Sequence, residues 1–413
     1  MRSTWNPALR VAPIFLRDSR PRTCLPHAGR GREPHRRLAL RTLMPMSDPM
    51  SDNVVSPRRA RALRWEPLTV GIDIGGTKVL GAVVDSTGSV ICVERRPTAG
   101  HDVRAVEDTI VDLVHGFARE YDVAAVGIGA AGFVDVTRTV VMFSPHLNWR
   151  REPLRAKVAE RVRLPVVVDN DANTAALAEC RFGAGRGHRF VLCVTLGTGI
   201  GGALVIDQRV FRGSNGMAGE FGHMQVVPDG HRCECGNRGC WEQYASGNAL
   251  VRDARELIRA GSPMAQHLND LVDGDASRLE GPQITQAARS GDPLSIELLA
   301  DVGRWLGVGL AGMAAAFDPG CIIVGGGLSD AGDLLIEPTR QAFARSLTGR
   351  GHRTEPEIVQ AALGPNAGFI GAADMARSAA RRSRRGRVRR TRAGRPRRRL
   401  FEILTEVPDR ETR

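Results

Sequence analysis

The sequence predicts an α/β protein with two similar lobes and a small metal-binding loop. Short apolar strands alternate with helical segments over residues 68–376, which is the order of elements found in α/β folds. Segments 70–85 and 191–206 are each a hairpin with a glycine-rich turn, so they look like two copies of one unit. Three cysteines within residues 233–240 predict the metal-binding loop.

The first copy opens with a hairpin. Its strands, Leu68–Ile74 and Val79–Val84, flank a tight turn at Gly75–Thr77. Apolar residues then recur at helical spacing through 104–119. The remaining predicted elements of this copy are strands at Val123–Ile128 and Val166–Val168 and a helix at Thr174–Arg181.

The second copy repeats the hairpin and then becomes mainly helical. Its predicted elements are strands at Val191–Leu196 and Ala203–Ile206, helices from about 247 to 317, a strand at Cys321–Val324 and a small helix near Gly368–Ala376. We therefore expect a small α/β domain at 67–180 plus 364–378. A large α/β domain at 181–363 would carry the metal-binding loop.

Most of the positive charge lies at the ends of the chain. Residues 1–66 contain 14 Arg and 5 acidic residues, and residues 377–413 contain 15 Arg and 4 acidic residues. Because the whole chain has a net charge of +13, the segment between these two ends carries −7. We expect a disordered basic extension at 1–66, which a misassigned start codon would explain, and a disordered Arg-rich tail at 379–413. A basic pI often indicates a nucleic-acid partner, but here the predicted folded part is acidic, so we expect no specific one.

Composition also bears on the cellular compartment. No apolar run approaches the roughly 18 residues that span a bilayer, and no signal-peptide core is present, so we expect a cytoplasmic protein without a membrane partner. Three of the eight cysteines lie close together and the others are scattered. This distribution favours one local metal site in a reducing compartment over a disulfide framework.

Three glycine turns follow predicted strands. Glycine allows the backbone to approach a phosphate, and successive N–H groups in such a bend bind anions. The residues of these turns are Gly75, Gly76, Thr77 and Lys78, then Gly197, Thr198 and Gly199, then Gly325, Gly326 and Gly327. Asp73, at the end of the first strand, could orient the Mg²⁺ carried by a nucleotide. A plain tight hairpin remains the alternative for any single turn, but three turns at strand ends together predict a nucleotide site.

The segment Asp169-Asn-Asp-Ala-Asn173 follows a buried strand and opens a helix. Asp and Asn are preferred at helix N-termini, so capping is one interpretation. Four Asx residues in five exceed what one cap requires. A carboxylate here, facing a cleft between lobes, could instead accept a proton from a substrate hydroxyl.

The metal loop offers one His and three Cys, the donor set of a structural, tetrahedral zinc site. The candidate ligands are His223, Cys233, Cys235 and Cys240. Four protein ligands leave no open coordination position, so we expect this zinc to fix a loop and not to activate a substrate. Glu220 and Glu242, just outside the ligands, are either solvated or rigid acceptors for vicinal sugar hydroxyls.

Taken together, these motifs resemble the ROK family of sugar kinases and repressors. They are Asp73-Ile-Gly-Gly-Thr-Lys78, Asp169-Asn-Asp171, Leu196-Gly-Thr-Gly199, Glu220-Phe-Gly-His223 and Cys233-x-Cys-Gly-x-x-Gly-Cys-x-Glu242, and the resemblance covers roughly 68–378. Within this family, the sequence most resembles the bacterial ROK glucokinases. It implies the actin-like, two-lobed sugar-kinase fold, with ATP and Mg²⁺ bound at the glycine turns and a structural Zn²⁺.

The resemblance also implies roles for single residues. Asp171 corresponds to the catalytic base, which would accept the proton of the glucose 6-hydroxyl. The sugar contacts implied are Asn148, Asn170, Glu220, His223 and Glu242. By analogy with the family we expect a homo-oligomer, a dimer or a tetramer.

Several alternatives stay open at the level of sequence. Fructose, mannose and N-acetylhexosamine compete with glucose as acceptors, because epimers differ only in the direction of one hydroxyl. Polyphosphate is not excluded as the phosphoryl donor. A sugar-responsive ROK transcriptional regulator is a less favoured alternative, since residues 1–66 show no helix pair and the candidate base and glycine turns are intact.

Overall fold

The computed structural model describes residues 66–98, 102–144 and 147–392, and the side chains of 385–392 are left out of the description. The expected extension at 1–66 therefore falls almost wholly outside the described residues. The part of the expected tail from 393 onward also lies outside them.

The first sheet has five strands in the order β3-β2-β1-β4-β8. The strands are β1 (Leu68–Ile74), β2 (Lys78–Val84), β3 (Val90–Pro97), β4 (Val123–Ala130) and β8 (Val166–Asn170). The first three form an antiparallel meander, whereas β4 pairs parallel with β1, and β8 parallel with β4. The parallel strands β1, β4 and β8 therefore all end at the same edge of the sheet.

The second sheet repeats this arrangement in the order β11-β10-β9-β12-β13. Its strands are β9 (Phe190–Leu196), β10 (Ile200–Ile206), β11 (Arg209–Phe211), β12 (Cys321–Gly325) and β13 (Glu357–Gln360). A meander again comes first, and β12 and β13 again add in parallel. The predicted duplication is confirmed, because strands in the same order along the chain occupy the same places in the two sheets.

A third, small antiparallel sheet lies in the chain between β4 and β8. It contains β5 (Phe133–Val134), β6 (Val141–Ser144) and β7 (Trp149–Glu152). Both copies carry a helix at this point of the chain, but the second has no such sheet between β12 and β13. The insertion brings the turn at 135–140 next to the first sheet.

Nine α-helices lie in the described residues. They are α1 (Val103–Glu120), α2 (Leu154–Val162), α3 (Asp171–Phe182), α4 (Gly247–Arg259), α5 (Gln266–Asp270), α6 (Gly281–Arg289), α7 (Pro293–Phe317), α8 (Asp333–Ser346) and α9 (Ala367–Arg392). Helices α1 and α2 cover the first sheet, and their apolar faces join its core. Helices α4, α6, α7 and α8 form a larger core with the second sheet. Each sheet therefore has its own apolar core.

Helix α7 is long and apolar enough to span a membrane by length and composition. However, 61% of its most apolar window is buried inside the protein. It packs along α8 and against α4 and α6, as the central helix of a folded core does. No other helix in the described residues passes the same test.

Helix α9 returns the chain to the first sheet. Gly71 on β1 and Gly127 on β4 lie directly beneath its backbone, where a Cβ atom would collide with the carbonyls of Phe369 and Ala372. Farther along the helix, the buried Arg377 guanidinium donates to Pro67 O at 3.3 Å and to Val84 O at 3.0 Å. These bonds tie α9 to the strands of the first sheet.

The sequence prediction for this helix was wrong in length. A small helix was expected near Gly368–Ala376 with a disordered tail from 379, but α9 continues to Arg392. Arg and Ala have high helix propensity. Because the helix is already anchored at Arg377, the Arg-rich segment extends it without needing an apolar face of its own.

Candidate active site

A cavity of about 370 Å³ lies between the ends of the two sheets. The first sheet contributes the segment after β4 and the start of α3, and the second contributes the β9–β10 turn and the loops after β11. The residues of the cavity wall that the sequence singles out are Asn170, Asp171, Gly197, Gly199, Glu220, His223, Glu242 and Gly326. Residues far apart in sequence therefore meet in one place.

Asp171 is the first residue of α3, directly after β8. Its Oδ1 accepts hydrogen bonds at 2.9 Å from its neighbours, the Asn170 side-chain amide and the Ala172 backbone N–H. Asn170 is the N-cap, because its Oδ1 accepts from the Asn173 N–H at 3.1 Å. Capping is thus performed by Asn170, and the Asp171 carboxylate is positioned on the cavity wall.

Asp169 has a different role from Asp171. It is 2% exposed and accepts hydrogen bonds from the Asn173 side chain at 3.0 Å and from Arg212 Nε at 3.0 Å. Arg212 follows β11, so this buried ion pair links β8 to the second sheet. Within the segment 169–173, Asp169 therefore has a structural role, whereas the Asp171 carboxylate faces the cavity.

The predicted metal ligands form a compact cluster. The donor atoms of His223, Cys233, Cys235 and Cys240 all lie within 4.8 Å of one another. The Sγ atoms of Cys235 and Cys240 are 3.6 Å apart, and Cys233 Sγ is 3.6 Å from His223 Nδ1. A tetrahedral site with Zn–S bonds of about 2.3 Å has edges of roughly 3.8 Å, so the cluster fits zinc.

Glu242 lies between this cluster and the cavity. Its Oε1 is 3.1 Å from Cys233 Sγ and 3.4 Å from His223 Nδ1, while Oε2 approaches the Ile200 N–H at 3.4 Å. His223 Nδ1 faces the cysteines, so Nε2 is the ring nitrogen free to face the cavity. The position of Glu242 is set from two sides, by the metal cluster and by β10.

Two carboxylates and a histidine act on Glu220 across the cavity. Partial burial raises the pKa of Glu220, His223 lowers it, and Asp171 and Glu242 raise it further. Hydrogen-bond donors relieve the repulsion that Asp171 and Glu242 exert on Glu220, and the hydroxyls of a sugar can supply them. The wall is therefore suited to a polyhydroxylated ligand.

Asp73 lies at the end of β1, behind Asp171. Burial raises its pKa to about 7, the Asp171 carboxylate adds to this rise, and Lys78 opposes it. A Cβ atom on Gly368 would meet the Asp73 carboxylate at 2.7 Å, so the first turn of α9 packs directly on this side chain. A half-buried carboxylate that feels the charge of a second one fits a magnesium-bearing phosphate, whose cation would offset both charges.

The ROK family model matches residues 69–379, about three quarters of the chain. The chain belongs to the ROK family. This agrees with the motif resemblance, and the mixed α/β sugar-kinase architecture of the family is present in the two repeated sheets.

Individual relatives of this ROK protein include both kinases and repressors. The glucokinase of Streptomyces coelicolor is 49% identical over 310 residues, which cover 75% of this chain and 98% of that protein. A solved ROK glucokinase from Streptomyces griseus, in complex with glucose and AMPPNP, is 50% identical with a TM-score of 0.70, over 75% of this chain and 99% of that one. The xylose repressor of Bacillus subtilis is 28% identical, and the match covers 73% of this chain and 75% of the repressor.

A second cavity of about 530 Å³ extends from the same glycine turn. Gly197 lines both cavities, so they meet at the β9–β10 turn. The second cavity is also lined by Thr198 and Gly327, two of the residues predicted to bind a nucleotide. Its wall is more apolar than polar, as expected for a pocket that holds the base and ribose of a nucleotide.

Sequence reasoning missed the far wall of this cavity. The residues added by the structure are Gly247, Val251, Gly281, Pro282, Thr285, Gln286, Arg289, Leu328 and Asp330. They lie mainly at the N-terminus of α4 and along α6, in a region that the sequence showed only as helical. Apolar spacing on a helix indicates the core, and it does not reveal which residues at a helix end line a pocket.

The remaining predicted residues are not among those that line the two cavities. Gly75, Gly76 and Lys78 form the β1–β2 turn, in which the Gly75 N–H donates to Lys78 O at 3.0 Å. Asn148 adopts a left-handed conformation in an exposed turn before β7 and does not line the described cavity wall. Its predicted sugar contact stays a prediction.

Proposed function

We propose that this ROK protein is a glucokinase, which transfers the γ-phosphoryl group of ATP to the 6-hydroxyl of glucose. The observation that carries this proposal is the meeting of two cavities at Gly197. One has carboxylates and a histidine suited to sugar hydroxyls, and the other is suited to a nucleotide. The printed ligands of the Streptomyces griseus glucokinase, glucose and AMPPNP, are of these two chemical classes.

Asp171 is the proposed general base. In the mechanism it accepts the proton of the 6-hydroxyl as that oxygen bonds to the γ-phosphorus and the bond to the β-phosphate oxygen breaks. Asn170, Glu220, His223 and Glu242 hold the other hydroxyls and orient the acceptor, and Asn170 also caps the start of α3. Asn148 is a further proposed sugar contact, on the turn before β7.

Two metal ions complete the proposal. Mg²⁺ bound to ATP would be held near Asp73, where it offsets charge on the phosphates. Zn²⁺ would be held by His223, Cys233, Cys235 and Cys240, with no position left for a substrate. The contribution of these four residues is positional, because the loop they close carries Glu242 and His223 into the cavity wall.

The two sheets correspond to the proposed domains, a small one at 67–180 plus 364–378 and a large one at 181–363. We propose that the protein is cytoplasmic, because ATP is available there and cysteines stay reduced. By analogy with the family, we also propose that it forms a homo-oligomer. Helix α9 supports assigning 364–378 to the first domain, since it packs on β1 and β4.

A transcriptional regulator is the second candidate, because xylose repressors share this fold. The match to the Streptomyces coelicolor glucokinase spans 98% of that protein, whereas a quarter of the Bacillus subtilis repressor lies outside its match. The base candidate on the cavity wall also favours a kinase. Fructose, mannose and N-acetylhexosamine remain rival acceptors, and polyphosphate a rival donor.

A coupled assay of ADP release across a panel of hexoses tests the substrate, and the substitution Asp171→Asn tests the base. We expect glucose to give the highest kcat/KM. Asp171→Asn should lower kcat by about 10²- to 10⁴-fold, the usual contribution of a general base, while glucose still binds. Retention of near-normal kcat in Asp171→Asn would refute the base assignment, and no turnover with any hexose would refute the kinase.

The matched control is Asp102→Asn, because Asp102 caps helix α1 and lies outside both cavities. Asn is as good an N-cap as Asp, so this variant should retain full activity. If both variants lost activity equally, the effect of Asp171→Asn would reflect general loss of a helix-terminal carboxylate and not catalysis.

A further inference from the structure

A pocket outside the proposed active site is lined by arginines. Its volume is about 310 Å³, and it lies between the start of β8, the 135–140 turn and helix α9. The lining residues are Thr137, Arg138, Arg155, Pro165, Val166, Val167, Ala379, Arg382 and Ser383. Because Pro165 and Val166 are at the opposite end of β8 from Asp171, this pocket is separate from the sugar cavity.

The turn that carries Arg138 is firmly fixed. Asp135 accepts the backbone N–H groups of Thr139 and Val140, both at 2.7 Å. Arg138 itself is held in a left-handed conformation, with φ of 59°, and its N–H donates to Asp135 O at 2.8 Å. Because Asp135 is engaged by its own turn, its carboxylate is directed to the backbone and not to the arginines.

Positive charge in the pocket exceeds the negative charge that could neutralise it. Arg138 lies 3.9 Å from Asp169, but that carboxylate already pairs with Arg212. Within residues 66–98, 102–144 and 147–392, no ion pair is found for Arg155 or Arg382. Burial lowers the pKa of Arg138, and the neighbouring arginines lower it further while Asp169 opposes them.

Part of the pocket lies beyond the residues that the family model matches. The family match ends at residue 379, whereas Arg382 and Ser383 lie on the next turn of α9. Without that turn the wall opposite Arg138 and Arg155 would be missing. The pocket therefore depends on the extension of α9 that the sequence did not predict.

We propose that this arginine pocket binds a small phosphate-bearing anion. Guanidinium groups match phosphate oxygens with paired hydrogen bonds, and Ser383 adds a hydroxyl donor. The volume lies at the lower end of the range for small-molecule sites. Arg138 and Arg155 are half-buried in the wall, whereas Arg382 and Ser383 lie on its exposed rim, so the pocket is open to a small anion from solvent. A nucleic-acid backbone would instead follow a longer basic surface, and the experiment below includes duplex DNA as a competitor.

Isothermal titration of the full chain tests this proposal, with inorganic phosphate, pyrophosphate and glucose 6-phosphate as the probes. Saturating glucose and AMPPNP are added, so that the proposed active site is filled. We expect saturable binding of at least one probe, with one site per chain. Arg382→Gln should weaken it about tenfold, the usual effect of losing one charge-assisted hydrogen bond.

The matched control is Arg381→Gln, which removes the same charge one residue away, outside the pocket wall. A second variant, Arg155→Gln, removes a wall residue on another helix and should also weaken binding. Thermal melts establish that each variant is folded. No saturable binding of any probe, equal weakening by Arg381→Gln, or displacement of the probe by duplex DNA at equal phosphate concentration would each overturn the proposal.

Discussion

Glu179 gives the sharpest test of how the two sheets are joined. It is a buried residue of α3, 1% exposed, and lies between the two places where the chain crosses from one sheet to the other. Its Oε2 accepts the N–H groups of Ala184 at 2.9 Å and Ala362 at 3.1 Å, and its Oε1 accepts that of Leu363 at 2.7 Å. One carboxylate therefore binds both crossing segments.

The substitution Glu179→Gln retains the size of this side chain and removes half of its accepting capacity. If the amide oxygen takes the place of Oε2, the hydrogen bonds from Ala184 and Ala362 remain. The new NH₂ group then faces the Leu363 N–H, so two donors meet and neither finds an acceptor. A buried unsatisfied donor costs about 1–3 kcal/mol, and the two remaining bonds lose their charge assistance. We therefore expect a loss of about 3 kcal/mol in the free energy of unfolding.

Urea unfolding followed by circular dichroism measures this loss, with an unchanged m-value as the sign of two-state behaviour. The matched control is Glu256→Gln on the exposed side of α4, expected to change stability by less than about 0.5 kcal/mol. A loss below about 1 kcal/mol in Glu179→Gln would show that these hydrogen bonds do not hold the crossings together.

Three further predictions concern the site. Cys235→Ser should release bound zinc, measured by atomic absorption, and raise the KM for glucose, whereas Cys92→Ser, outside the cluster, should do neither. The Asp73 carboxyl, with a pKa of about 7, is protonated below that pH and ionised above it. Magnesium-dependent AMPPNP binding should therefore weaken as the pH falls from 8 to 6. A binding affinity that does not change over this range would refute the role of Asp73 beside the cation. Gly199→Ala places a Cβ atom against Glu242 Oε2. Titration calorimetry should therefore show weaker glucose binding, while atomic absorption should show unchanged zinc content.

The central strands and the glycine turns were predictable because their signals are local, whereas the strands β3, β5, β6, β7, β11 and β13 were not predicted. A hairpin requires alternating apolar residues and a turn, and both lie within about fifteen residues of sequence. The repeated order of strands in the two sheets follows from that local repetition. The cysteines of the proposed zinc site were predictable as a cluster for the same reason, since Cys233, Cys235 and Cys240 lie within one short loop.

Residues that act by long-range contact gave no such signal. Asp169 and Asp171 are two positions apart in one polar segment, and only the position of Arg212, 43 residues away from Asp169, makes the first structural. Glu179 reads as an ordinary helical residue until Leu363 is brought next to it. The length of α9 was missed because its anchor, Arg377, bonds to the start of the first sheet.

The division of the cavity between the two sheets explains why these long-range residues matter for function. Asp171 belongs to the first sheet and its helix α3, whereas Glu220, His223 and Glu242 belong to loops of the second. The proposed zinc site would fix the second group internally, but it would not set the distance from that group to Asp171, the proposed base. The two crossings, the Asp169–Arg212 ion pair and a buried apolar cluster that joins Val167 of β8 to Val191 of β9 set that distance. A substitution at Glu179 should therefore lower kcat even where glucose binding is retained, because it moves the base relative to a sugar that is still held.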